Sequence, residues 1–130
     1  MNKMSKKIKY TVEYPVRCSP GILYGFLSTS SGLQEWFADK VEDEDGIFNF
    51  SWSGGAAEEA EMLENEENKM VRFHWVDSPK DEFFEFNIES SEVTNQTILV
   101  IHDFADKKDV KDQSQLWETQ VKELFHRLGS

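Results

Sequence analysis

Three stretches of the chain place large apolar residues at every second position: Phe48, Phe50 and Trp52, then Val71, Phe73 and Trp75, then Phe84, Phe86 and Ile88. A period of two puts such side chains on one face of a strand. Strands of this kind build a sheet with one aromatic face, and that face has to be covered. The long helical pattern at the end of the chain supplies the cover. Val110, Trp117, Val121, Leu124, Phe125 and Leu128 form one apolar stripe, with Asp112, Glu118, Lys122 and Arg127 elsewhere on the cylinder. The expected class is therefore α+β, an antiparallel sheet closed by a C-terminal helix.

The remaining segments fill in the order. Ile8, Tyr10, Val12 and Tyr14 alternate with Lys9, Thr11 and Glu13, as in a half-buried strand. Ser19-Pro20 then combines an N-cap residue with a proline suited to the first helical position, and Ile22, Leu23, Phe26 and Leu27 follow at helical spacing. Ser31 and Gln34 have capping-box spacing, which predicts a second short helix carrying Leu33, Trp36 and Phe37 on one face. Asp45-Gly46 and Gly54-Gly55 mark tight turns, residues 56 to 63 read as a weaker strand, and further turns fall at 66–68 and 94–96. The last strand, Thr97 to Phe104, is apolar on both faces and should lie centrally, covered on both sides. The total is about six to seven strands in one domain spanning residues 1–130.

Charge narrows the partners. With 14 Lys plus Arg against 25 Asp plus Glu, the formal net charge is −11, so nucleic acid and anionic membrane surfaces are poor partners. Residues 39 to 67 hold 11 acids and one base, a local charge of −10. Such a region keeps an exposed sheet edge soluble and unpaired, or faces a basic protein partner. No run approaches the roughly 18 apolar residues of a membrane span, and the lysines at 3, 6, 7 and 9 precede no apolar segment of signal-peptide type. The lone Cys18 suits a reducing, cytoplasmic setting.

Motifs that would carry chemistry are absent. The acidic run Glu42-Asp43-Glu44-Asp45-Gly46 fails EF-hand spacing, with Val41 at the first ligand place and Trp52 at the last. His74, His102 and His126 are isolated and lack metal-ligand spacing. His102-Asp103 brings an imidazole beside a carboxylate, but adjacent strand residues face opposite sides. No phosphate loop, nucleophilic triad, metal site or cofactor motif is legible, and no catalytic residue is assigned.

The words of the sequence resemble a known family. Ser19-Pro20 before a short helix, Leu33 followed by Trp36-Phe37-Ala38-Asp39, Phe48-Asn49-Phe50-Ser51-Trp52, Val71-Arg72-Phe73-His74-Trp75, Thr97 to His102, and Trp117 with Val121, Leu124 and Leu128 carry the likeness. From about Ile8 to Leu128 the chain resembles the helix-grip fold of the START-like, birch-pollen-allergen-like (SRPBCC) superfamily, in its bacterial branch related to heat-shock ATPase activators. The resemblance implies a cytoplasmic bacterial protein whose curved sheet wraps a long terminal helix and leaves a ligand cavity between them. Phe50, Trp52, Phe73 and Trp75 are the expected lining from the first strands, with Phe86, Leu99, Trp117 and Val121 completing it. The alternative geometry is a closed core filled by the same rings. The function expected first is non-catalytic binding of a small hydrophobic ligand, lipid-like or aromatic. An interaction module that modulates a chaperone or similar partner through the acidic hairpin is the alternative. A cyclase-type enzyme using Tyr10, Tyr24 or His102 is a further one. Ligand identity and oligomeric state are not legible.

Overall fold

A computed structural model describes residues 6–129. Lys3 of the basic N-terminal run therefore lies outside the described residues. The elements run β1 (Ile8–Val16), α1 (Pro20–Ser28), α2 (Ser30–Leu33), β2 (Lys40–Glu44), β3 (Ile47–Ser51), β4 (Ala57–Glu66), β5 (Met70–Trp75), β6 (Phe84–Ser90), β7 (Thr97–Ala105) and α3 (Val110–Leu128). The strands form one antiparallel sheet in the order β1-β7-β6-β5-β4-β3-β2. Apart from the crossover that pairs β1 with β7, it is a meander.

The turns follow from their residues. Asp45 (φ 52°) and Gly46 (φ 84°) both take the left-handed conformation, as the two-residue hairpin joining β2 to β3 requires. β4 extends to Glu66, three residues beyond the expected strand, because a register shift between Met62 and Glu64 accommodates Leu63 and lets pairing with β5 continue.

The two short helices differ from the expected capping. Ser19 caps α1, accepting from the Ile22 amide at 3.3 Å. The cap of α2 is Thr29 and not Ser31, and the helix ends at Leu33, leaving Trp36 and Phe37 in the turn beyond it. Thr29 prevails because its hydroxyl serves both helices at once: it donates to the Gly25 carbonyl at 2.7 Å and receives the Gly32 amide at 2.9 Å. The helices approach so closely that a Cβ on Gly32 would stand 2.1 Å from the Gly25 oxygen.

Inward-facing residues follow the period-two pattern. Val12 pairs with Ile101 and Tyr14 with Leu99 between β1 and β7, while Phe86 on β6 sits opposite Ile101 on one side and Val71 on the other. Over this face lies α3, whose Trp117, Val121 and Leu124 are buried. β7 is second from the sheet edge and, on its outer side, Val100 is also buried. That outer face carries a polar arrangement. Arg72 and Asn87 both donate to the buried Glu85 carboxylate, and Thr11 is 2.8 Å from Nδ1 of His102. Burial alone would raise the Glu85 pKa, but the bonds from Asn87 and Arg72 outweigh it and hold the carboxyl below its ordinary range.

Candidate functional site: an aromatic cleft beside the terminal helix

The core is filled with rings. Phe37, in the turn after α2, is stacked 5.7 Å from Phe84, 5.8 Å from Trp117 and 6.4 Å from Trp75. Phe73 lies under Phe84 at 5.1 Å, and Phe50 meets Phe37 edge-on at 5.1 Å. These separations are those of favourable aromatic pairs. Phe50, Phe73, Phe86 and Leu99 are wholly buried, as Val121 is to within 1%, so these five expected lining positions are packed into the interior.

The other three expected positions come together at one end. Trp52, Trp75 and Trp117, joined by Phe37, wall a cleft of about 400 Å³ between the sheet and α3. The helix contributes Gln113, Leu116 and Gln120 to it, and Glu58 enters from β4. An adjoining hollow of about 290 Å³ shares Glu58, Trp75, Asp103 and Gln113 with the cleft and extends it to Lys7, Glu82, Asp106 and Asp109.

The polar frame ties the walls to separate elements. The indole N–H of Trp52 donates to the Phe37 carbonyl at 3.0 Å, and the Gln120 amide donates to the same oxygen at 3.1 Å. Asp103 projects from β7 to the inner face opposite Tyr10. Its carboxylate receives the Tyr10 hydroxyl at 3.1 Å, the Trp117 indole at 2.9 Å and the Phe104 amide at 2.8 Å. Burial raises the Asp103 pKa, and those three donors partly offset the rise. Burial, reinforced by the Asp103 charge, pushes the Tyr10 hydroxyl well above its ordinary 10.0.

The acid–base candidates are dispersed. Tyr10 is committed to Asp103, His102 faces Thr11 on the opposite side of the sheet, and Tyr24 receives a hydrogen bond from Asn65 at 3.0 Å. None of the three lines the cleft. Among the described residues no group of His, Cys, Asp and Glu is arranged to hold a metal ion. Sequence reasoning missed Phe37 as a wall and Glu58 and Asp103 as inward carboxylates. The available signal was the strand period: Glu58 alternates with Ala60, and Asp103 continues Leu99 and Ile101.

A seven-stranded antiparallel sheet gripping a long terminal helix, with a side cleft where the two part, defines a small helix-grip domain. The chain belongs to the START-like superfamily, whose domain profile matches residues 4–130. It is similar to a Bacteroides fragilis protein solved by NMR, at 31% identity over 95% of this chain and 93% of that one, with a TM-score of 0.67. The Aha1 dimer of Colwellia psychrerythraea shares the fold at 19% identity, covering 91% and 93% of the two chains with a TM-score of 0.75. A Mesorhizobium loti protein does so at 19% identity, covering 94% and 97%, with a TM-score of 0.77. No curated protein matches the sequence. Among the described residues no helix is long and apolar enough to cross a membrane.

Proposed function

We propose that the protein binds a small, predominantly apolar molecule without chemical conversion, in the cleft walled by Trp52, Trp75 and Trp117. The observation that carries this reading is a contrast in packing. Phe50, Phe73 and Phe86 are fully buried, whereas Trp52 and Trp75 stay partly exposed around a concavity. Large rings left open to solvent in a concave site, with a few polar groups on the rim, are what a ligand pocket is made of. The position of Tyr10, Tyr24 and His102 outside the cleft favours binding over the cyclase-type alternative.

The test is a titration with a neutral aromatic alcohol, followed by calorimetry and tryptophan fluorescence. Binding should be saturable and should raise the melting temperature by mass action. Thr119 lies on the exposed rim of the cleft, so Thr119→Phe should cut affinity at least tenfold while leaving the melting temperature within a few degrees. Unchanged binding in that variant would place the ligand elsewhere.

A second reading has its own observation. Across β2, β3 and β4, Glu42 and Glu59 flank Asn49, and Glu44 and Glu61 flank Ile47, so four exposed carboxylates form two rows on the outer face. This supports docking of a basic protein partner. Salt-sensitive capture of a basic partner, lost when Glu42, Asp43 and Glu44 are changed to lysine, is the outcome this reading requires.

A further inference from the structure

We propose that the cleft selects a cation: an organic ammonium ion carried on an apolar or aromatic body. The inference rests on the reading of the cleft as a binding site and specifies what enters it.

The walls are the first ground. Trp52, Trp75 and Trp117 each lie within 6.4 Å of the central Phe37 ring, and all four line the cleft, so a small group inside it lies beside several aromatic rings at once. The face of an aromatic ring is the negative side of its quadrupole and attracts cations most strongly where water is excluded.

The charges are the second ground, independent of the first. In the aromatic part of the cleft the ionisable lining residues are Glu58 and Asp103, both acids. In the adjoining hollow Lys7 stands against Glu58, Glu82, Asp103, Asp106 and Asp109, and its ammonium is 3.6 Å from Glu82. The field at the mouth is negative, and a cleft with low-dielectric walls focuses it. The two inner carboxylates have different parts. Asp103 already accepts from Tyr10, Trp117 and Phe104, so it contributes its charge. Glu58, exposed at the mouth, can receive an ammonium directly. A carboxylate-bearing ligand of the same size would meet this field with the wrong sign.

The experiment compares three probes with one carbon skeleton at pH 7 and low salt: 4-phenylbutylamine, 4-phenylbutanol and 4-phenylbutanoate. Calorimetry should give the amine at least a tenfold tighter dissociation constant than the alcohol, with the carboxylate weakest. Glu58→Gln should reduce the amine's advantage severalfold, and the remote Glu42→Gln should leave it unchanged. Equal affinity for amine and alcohol overturns cation selection while leaving the cleft as a binding site. Equal losses in the two variants assign the preference to overall charge and also overturn it. Absence of saturable binding by all three probes removes the binding site and the selectivity together.

Discussion

The indole of Trp117 on α3 donates to the Asp103 carboxylate on β7 across 2.9 Å, so the terminal helix is fastened to the sheet by a directed bond as well as by apolar contact. Trp117 is 6% exposed, which means that its ring and its N–H are buried together. Trp117→Phe retains most of the ring and deletes the donor to a charged, partly buried acceptor. A loss of about 1–3 kcal/mol is expected from the missing bond, against about 3–5 kcal/mol for Trp117→Ala. Denaturant unfolding of both variants checks the pair. Equal stability of Trp117→Phe and wild type would show that the bond contributes nothing.

Burial of the Tyr10 hydroxyl, reinforced by the same carboxylate, sets a pH dependence. The Tyr10 hydroxyl has a folded pKa raised above 10.0, so above that pH the folded chain keeps a proton that the unfolded chain loses. Its contribution to stability is intact below pH 10 and declines as pH rises beyond it. Tyr10→Phe should flatten this alkaline loss. On the acid side Asp103 and Glu85 oppose one another. Asp103 is raised from 3.8, so its contribution falls as pH rises through its folded pKa; Glu85 is lowered from 4.5, so its contribution falls as pH drops below that value. Asp103→Asn removes the opposing slope, and the acid limb of a stability profile should steepen.

Val121, one turn beyond Trp117 on α3, is 1% exposed and belongs to the buried core that includes Phe37 and Phe84. Enlarging it to tryptophan should cost about 1–3 kcal/mol through overpacking. Probe binding in the cleft should survive in the folded fraction. A stable Val121→Trp protein that no longer binds would instead move the ligand deep under the helix.

Gly32→Ala tests the junction of α1 and α2. The new methyl would lie 2.1 Å from the Gly25 oxygen and 2.6 Å from the Phe26 Cα, both backbone atoms that cannot swing aside. The helices must separate, and a loss of the order of 1–3 kcal/mol is expected. Melting at the wild-type temperature would mean that the two helices part without cost.

Much of this architecture was legible in the sequence, because period-two alternation states which residues share a face. Ile8, Tyr10, Val12 and Tyr14 do share one, and Asp45-Gly46 is the turn its residues demand. Rings that fill a core and rings that wall a cleft were not separable. Phe73 and Trp75 have the same spacing and chemistry, and their exposure differs because Trp75, at the end of its strand, borders the cleft. Asp103 was obscured by its neighbour. His102 beside it draws attention to an acid–base pair, whereas the working partners, Tyr10 and Trp117, stand 93 and 14 positions away. The cap of α2 was misplaced by two residues because Ser31 matches a local motif while Thr29 bonds to both helices.

The carbonyl oxygen of Phe37 receives both Trp52 and Gln120. An amide oxygen has two lone pairs, so this one has no acceptor capacity left to offer an incoming molecule. It also joins the turn after α2, the end of β3 and the middle of α3 at a single atom. Any widening of the cleft that lifts Gln120 must either break that junction or draw the turn, and the Trp52 indole bonded to it, along with the helix. Displacing any one of these three elements at the entrance therefore costs at least one of the two hydrogen bonds unless the others follow it.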